Sequence, residues 1–274
     1  MNNRSVLKTK LVASPYIVWS ALFIIAPLIF VVYYSFTDAA GNFTFDNISA
    51  LVKYAPTFLR SIWFGIVATL ICLVIAFPLA YIISQKTEKI QRTLVMLVML
   101  PMWMSFLIRT YSWMALLQDT GIINTLLGKI GIDPIHMINT SGAVILGMVY
   151  NFLPYMIMPI YSVMAKLDRS MVEACQDLGG NRLTVIRRCI LPMSMPGVVS
   201  GITMVFVPSV STFYISQKLG GGSFDLIGDV IERQFQQSYN YNLGASISLV
   251  LMVLILLSMA VMNRFTGDEE GMVI

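Results

Sequence analysis

The most informative residues of this sequence lie between Lys166 and Pro196, in the stretch KLDRSMVEACQDLGGNRLTVIRRCILPMSMP. Asp168 or Ser170 can cap a short helix there, because their side-chain oxygens can accept from backbone N–H groups that a helix leaves free. Either cap places Glu173 in the first turn of that helix. The spacing therefore predicts a short helix that carries a carboxylate.

A glycine turn and a second helical segment follow. Gly179 and Gly180 can end the first helix, since glycine adopts the left-handed conformation at a helix C-terminus at low cost. The segment from Leu183 to Ile190 then leads through Leu191-Pro192 into an apolar stretch. Such a helix–turn–helix unit is rigid enough to transmit a movement from a partner protein.

The sequence lacks the motifs that nucleotide hydrolysis and nucleophilic catalysis require. Gly128-Lys129 is followed by Ile130, and the run Gly220 to Ser223 has no lysine, so neither is a P-loop. His136 is the single histidine, which leaves no Ser/His/Asp set and little room for a metal site. We interpret it as a loop histidine in contact with water. We predict no catalytic residue, metal or cofactor in this chain, so any ATP would be hydrolysed by another subunit.

The composition is that of a membrane protein. Charged residues make up 12% of the chain and hydrophobic residues 57%, whereas globular proteins carry roughly 25% charged residues. The mean hydropathy of +0.77 agrees. A soluble enzyme and a disordered chain are therefore excluded, and the net charge of +4 is too small to indicate a nucleic-acid partner. Cys72, Cys175 and Cys189 show no paired spacing, which argues against a disulfide framework.

Six uncharged stretches are long enough to hold a helix of about 20 residues, the length that crosses a bilayer. They run from Leu11 to Thr37, Ser61 to Gln85, Thr93 to Ile108 (extendable toward Leu117), Asn139 to Ala165, Cys189 to Gln217, and Gln234 to Asn263. Arg109 limits the third, but long basic side chains near helix ends can reach the interface. Within the fifth, Gly197 and Gly201 suit close helix packing. The fold class that we predict is an all-α integral membrane protein with six transmembrane helices.

The distribution of Lys and Arg predicts the orientation, because cytoplasmic loops carry an excess of these residues. Twelve lie in the amino terminus, in the 86–92 and 166–188 loops and in the tail, and six lie in the alternate segments. Both termini are therefore expected in the cytoplasm. No Asp, Glu, Lys or Arg lies deep within the spans, which disfavours a proton- or sodium-driven carrier.

The loop resembles a known motif. Glu173-Ala174-Cys175, three residues, Gly179, nine residues and Cys189-Ile190-Leu191-Pro192 are similar to the EAA loop of ABC importer permeases, EAA-x3-G-x9-I-x-L-P. Cys175 stands in place of the second alanine and Cys189 in place of the isoleucine. Both replacements are compact, so helix packing is expected to survive them.

The resemblance covers nearly the whole chain. Further stretches resemble permeases of polyamine importers, most closely the B-type permeases of spermidine/putrescine importers: Ser105 to Tyr111, Leu153 to Tyr161, Leu191 to Gly197, and Phe213 to Ser216. It implies the type I importer permease fold, as one domain over 1–274 in a bacterial cytoplasmic membrane. The first helix would cover about 15–37, the core bundle about 61–263 and the cytoplasmic coupling loop 166–188.

The same resemblance implies partners and a mechanism. The chain would pair with a second, homologous permease, two ATPases that bind ATP and Mg, and an extracytoplasmic binding protein, all at the lipid membrane. ATP-driven closure of the ATPases would move the bundles by alternating access. Residues implied to dock an ATPase are Glu173, Ala174, Asp177, Gly179, Leu191 and Pro192.

Aromatic residues are our candidates for the substrate pathway, because cation–π attraction of roughly 0.5–2 kcal/mol can hold a polyamine without trapping it. They are Trp103, Tyr111, Trp113, Tyr150, Phe213 and Tyr214. The alternative is an interfacial aromatic belt. The acidic residues Asp119, Asp225, Asp229 and Glu232 can attract the cation, or they are solvated loop charges.

Three alternatives remain open. The importer can carry ferric iron, a phosphonate or an opine, because the binding protein usually sets specificity in this family. The chain can be a secondary carrier, or a membrane scaffold that needs no ATPase.

Overall fold

The computed structural model of the protein describes residues 15–177 and 179–264, and these residues are mostly helical. The helices are α1 (Pro15–Ser35), α2 (Asp46–Ala50), α3 (Ala55–Ser84), α4 (Glu88–Met99), α5 (Phe106–Leu117), α6 (Ile122–Lys129), α7 (Ser141–Met164), α8 (Arg169–Asp177), α9 (Arg182–Val185), α10 (Leu191–Met193), α11 (Met195–Ser211), α12 (Tyr214–Leu219), α13 (Ile227–Gln236) and α14 (Tyr241–Arg264). Turns of 3-10 helix cover Leu51–Tyr54 and Leu100–Trp103, and π-helical turns cover Ala21–Ile25 and Ile186–Ile190.

Four helical stretches in the described part of the chain are long and apolar enough to cross a bilayer: Pro15–Ser35, Asp46–Ser84, Ser141–Met164 and Tyr241–Met262. Two more candidates are bent pairs. Glu88–Trp103 and Phe106–Lys129 meet at 87°, and Leu183–Met193 and Met195–Ser211 meet at 70°. The described chain therefore holds four candidate spans, or up to six if each bent pair is one span.

The two bent pairs are the third and fifth spans of the sequence analysis, and there the predicted boundaries were wrong. Proline accounts for the fifth, because Pro196 lacks the N–H of a continuing helix. The chain therefore restarts as α11 after Ser194, and α11 ends at Ser211 instead of Gln217. The last span also begins later than predicted, at Tyr241. Residues 11–14 of the first predicted span lie outside the described residues.

The chain divides into two compact units. In the described parts of Pro56–Asp229 and Ile255–Ile274, α7 is the centre, with α11 and α12 packed along it. A Cβ on Gly201 would lie 2.7 Å from Sδ of Met156, and one on Gly197 would lie 2.7 Å from the Pro159 carbonyl oxygen. These two glycines therefore let α11 approach α7 closely, as predicted from their spacing.

The described parts of Met1–Ala55 and Val230–Leu254 form the other unit. Asn242 Nδ2 donates to the Thr37 carbonyl oxygen at 2.7 Å, and Ser246 Oγ donates to that of Ser35 at 3.1 Å. These hydrogen bonds tie the first turns of α14 to the end of α1. That residues 1–274 make one transmembrane domain stays a prediction.

Candidate coupling loop and translocation pathway

The helix α8 forms where the sequence predicted a short capped helix. The Asp168 carboxylate accepts from the backbone N–H of Ser170 at 2.9 Å, so Asp168 and not Ser170 supplies the cap. The helix therefore begins at Arg169, and the prediction that Glu173 lies in its first turn was wrong. Hydrogen bonds from the Ser170 backbone and hydroxyl hold the pKa of Asp168 below its usual value. The carboxylate is thus charged at neutral pH, at the end of the helix where a negative charge is favourable.

The helix presents two different faces. Val172 and Cys175 are half-buried and pack against the hydrophobic core. Glu173, Ala174 and Asp177 are exposed, and their spacing places them on one side of a helix. Three of the residues predicted to dock an ATPase therefore share one accessible surface, which we name the docking face.

The turn after α8 depends on both glycines. Gly179 has a φ of +81°, which is costly for any residue with a Cβ. Its N–H donates to the Gln176 carbonyl oxygen at 2.8 Å, and that of Gly180 donates to the Cys175 carbonyl oxygen at 3.2 Å. This pair of bonds is the Schellman motif, which closes a helix C-terminus. A Cβ on Gly180 would lie 2.5 Å from the same Cys175 oxygen, so a side chain there would break the turn.

After the glycine turn, a second helical segment returns the chain to the hydrophobic core. The Asn181 side chain accepts from the Thr184 N–H at 2.8 Å and so caps α9. The π-helical turn Ile186–Ile190 follows and buries Cys189 and Ile190. The other two predicted docking residues, Leu191 and Pro192, are exposed in α10, away from the docking face along the chain.

A polar cavity of about 300 Å³ lies beside α8, and Glu173, Gln176 and Gln91 contribute to its wall. Three hydrogen bonds fix the Gln91 side chain. Its Nε2 donates to the carbonyl oxygens of Ser84 and Lys86, and its Oε1 accepts from the Tyr161 hydroxyl at 3.0 Å. One glutamine therefore joins the end of α3 to α4 and α7 beside the coupling loop.

Two of the predicted pathway aromatics meet around a lysine. The rings of Tyr111 and Tyr214 lie 6.1 Å apart, nearly perpendicular, and Phe106 packs on Tyr214 at 6.0 Å. Nζ of Lys218 lies 5.6 Å from the centre of the Tyr111 ring and 5.8 Å from that of Tyr214. We name Phe106, Tyr111, Tyr214 and Lys218 the aromatic cluster.

Other predicted pathway residues lie elsewhere. Trp113 and Tyr150 form a separate edge-to-face pair at 5.3 Å. Trp103 is 72% exposed and Phe213 is exposed, and neither has a ring partner among the described residues. Asp225 is half-buried. The sequence thus identified two members of the aromatic cluster and missed Phe106 and Lys218, which lie five residues before Tyr111 and four after Tyr214.

The predicted outer acidic residues have different surroundings. Asp229 is 5% exposed. It accepts from the Ser216 hydroxyl at 2.9 Å and from the Leu226 N–H at 2.8 Å, so it holds the start of α13. The interpretation of Asp229 as a solvated loop charge is therefore wrong. Asp119 remains exposed and pairs with Nδ1 of His136 at 2.9 Å, which places that histidine in a solvated loop as predicted.

A second cationic side chain lies next to the aromatic cluster. Arg109 is 7% exposed, and its Nε and Nη1 have no hydrogen-bond partner among the described residues. Its guanidinium carbon lies 5.9 Å from the centre of the Phe106 ring. The surroundings of the cluster are therefore aromatic and positively charged.

The chain is similar to known transport proteins over most of its length. The family described as binding-protein-dependent transport system inner membrane component matches residues 5–267. The spermidine/putrescine transport system permease protein PotB of Haemophilus influenzae is 38% identical over 235 residues, which cover 81% of this chain and 82% of that protein. The protein of that name from Escherichia coli is 37% identical over 227 residues, covering 79% and 82%.

Solved structures share the fold. A bacterial ABC transporter involved in the import of the acidic polysaccharide alginate matches with a TM-score of 0.77, covering 97% of both chains at 19% identity. The same score is obtained for a bacterial alginate ABC transporter in complex with an alginate pentasaccharide-bound periplasmic protein, covering 96% and 95%.

Proposed function

Because the chain belongs to the family of binding-protein-dependent transport system inner membrane components, we propose that it is the permease subunit of an ATP-driven importer for linear polyamines such as spermidine and putrescine. The identity of more than a third with spermidine/putrescine permeases over about four fifths of the chain supports this substrate class. The chain crosses the bacterial inner membrane six times, each bent pair making one span, with both termini in the cytoplasm.

The importer contains further subunits. A second, homologous permease completes the pathway, two ATPases bind ATP and Mg, and an extracytoplasmic binding protein delivers the substrate. A solved structure of the same fold carries a periplasmic protein, which supports the last of these partners.

The docking face couples the ATPase to transport. Glu173, Ala174 and Asp177 are free to meet another protein because Val172 and Cys175 hold the opposite side of α8 on the core. When ATP closes the two ATPases, the docked helix moves with them. The lever of α8, the glycine turn and α9 then passes that movement to α11, and the bundles change from inward- to outward-facing.

The aromatic cluster contacts the substrate, and one observation carries this assignment: a primary ammonium, that of Lys218, already lies against the two tyrosine rings. The end of a linear polyamine is the same group, a primary ammonium on a methylene chain, so the surroundings that accept Lys218 accept the substrate. Lys218 and Arg109 then compete with the bound cation and repel it. The site is therefore weak, as a pathway requires.

Transport by the complete complex tests the proposal. Liposomes that contain both permeases, the ATPases, the binding protein and ATP are expected to accumulate labelled spermidine or putrescine. Accumulation of a ferric chelate, phosphonate or opine without polyamine uptake would show that the protein belongs to an importer of the same class with a different substrate. Uptake that persists without any ATPase would support a secondary carrier instead.

A further inference from the structure

Two of the three cysteines lie at the positions where the coupling loop departs from the pattern of its family. Cys175 stands where that pattern has alanine, and Cys189 where it has isoleucine. The two positions are on different elements, α8 and the π-helical turn Ile186–Ile190. The structure brings these two departures together.

The contact can be traced through one turn of α8. The buried Sγ of Cys189 lies 3.7 Å from the carbonyl oxygen of Met171, four residues before Cys175. Side chains of a helix lean over the turn that precedes their own Cα, so the Cys175 thiol lies over the turn that Cys189 contacts. Cys175 also packs against the hydrophobic cluster of which Cys189 is a member, so the two side chains lie in the same part of the core.

The two cysteines differ in access. Cys175 is half-buried, whereas Cys189 is 6% exposed. An accessible thiol beside an enclosed one is the arrangement of redox-sensing pairs, in which the first is oxidised and the second resolves it. Cys72, the third cysteine, is fully buried in α3, with its Sγ 3.7 Å from the Val149 carbonyl oxygen.

We propose that Cys175 and Cys189 are an oxidative modification site that forms a disulfide with peroxide and thereby slows transport. The Cys175 thiolate attacks one oxygen of hydrogen peroxide, which gives a sulfenic acid and one water after proton transfer. The Cys189 sulfur then displaces that hydroxyl, which leaves as a second water, and the S–S bond forms. The two thiols lose two electrons, and the peroxide gains them. In a reducing compartment such a bond is transient and regulatory.

The bond would change the mechanics of the lever. It would tie the docking helix covalently to the π-helical turn that leads into α11. The angle between α8 and that turn could then no longer change when the ATPases close. This consequence rests on the proposed function, but formation of the disulfide does not.

Thiol counting in membranes that hold the complete importer tests the bond. After treatment with hydrogen peroxide, denaturation and labelling with a mass-shifting maleimide, the wild-type chain is expected to carry one label in place of the three that its cysteines allow. Cys175→Ala, which restores the alanine of the family pattern, should keep two labels with or without peroxide. The control Cys72→Ala should go from two labels to none. Peptide mass spectrometry should find Cys175 linked to Cys189 within one chain.

Uptake in the same membranes tests the consequence. Peroxide should remove most of the wild-type uptake and a dithiol reductant should restore it, while Cys175→Ala should transport equally well before and after peroxide. Three labels on the oxidised wild type, or a link to another chain, would overturn the site. A disulfide that leaves uptake unchanged would overturn its regulatory role. A wild-type complex that never takes up polyamine would refute the proposed substrate and leave the thiol count as a valid test.

Discussion

The coupling loop and the aromatic cluster are built from different kinds of interaction. In the coupling loop, backbone hydrogen bonds between residues at most five apart define the turn, and the two carboxylates of the docking face are exposed. The aromatic cluster joins side chains from α5 and α12, about a hundred residues apart, around a cation that the chain itself supplies. We propose that the first region binds a partner protein and that the second holds a cation weakly.

This difference predicts how each region fails. Substitutions in the coupling loop should separate transport from ATP hydrolysis without affecting the recognition of substrate. Substitutions in the aromatic cluster should change the apparent affinity for substrate while the ATPases stay attached. The predictions below test that separation, beginning with the largest expected effect.

The largest effect is expected at Gly179. Replacement by valine puts a β-branched side chain at a φ of +81°, which costs about 1–2 kcal/mol and misplaces the docking face. We expect loss of co-purification with the ATPase and of nearly all uptake at matched expression. Gly131→Val is the matched control, since Gly131 has a φ of +83° and equally open surroundings but lies outside the loop. Equal losses in both variants would attribute the effect to backbone strain alone.

The next effect is expected from Glu173→Lys. Glu173 is exposed, so the substitution should alter the free energy of unfolding by no more than about 0.5 kcal/mol. The reversed charge should still weaken the contact with the ATPase and reduce uptake strongly. Glu88→Lys is the control, because Glu88 is an exposed carboxylate in the first turn of a different helix. If both variants co-purify with the ATPase as the wild type does, the docking face is assigned to the wrong side of α8.

The two regions also differ in how far the sequence predicted them. Local rules for caps and glycine turns predicted the turn at Gly179 and limited the cap to Asp168 or Ser170, because every partner lies within a few residues. The aromatic cluster depends on how α5 and α12 pack, and α5 begins only after an 87° bend. Their aromatic side chains made Tyr111 and Tyr214 candidates, but the sequence could not separate them from Trp103 or identify Lys218 as their neighbour.

A smaller effect is expected in the aromatic cluster, where it should appear in KM. Tyr214→Ala removes one ring from the cation, and a loss of roughly 0.5–2 kcal/mol corresponds to an increase of about 2- to 30-fold in KM for spermidine. Lys218→Met should act in the opposite direction and lower KM, because it removes the competing ammonium. Trp103→Ala, at a 72% exposed ring without a ring partner in the described chain, should change little. A higher KM for Lys218→Met would show that the lysine assists the substrate instead of competing with it.

The smallest effect is expected at the cap of the docking helix, where Asp168→Asn and Asp168→Ala separate the hydrogen bond from the charge. Asparagine keeps an oxygen that can accept from the Ser170 N–H, so co-purification with the ATPase should stay close to wild type. Alanine removes the acceptor, and α8 should fray at its first turn and bind the ATPase slightly less well.

The pKa of Asp168 is lowered in the folded protein, so the stability that its charge contributes is fully present above its ordinary unfolded pKa. That contribution is lost only as the pH falls through the lower, folded value. The cap should therefore give no pH dependence of ATPase binding between about pH 6 and 8, and the ratio of the alanine variant to wild type should be constant over that range. An asparagine variant as weak as the alanine one would show that the charge rather than the hydrogen bond positions the docking face. A ratio that varies between about pH 6 and 8 would show that a group other than Asp168 controls the contribution of the cap.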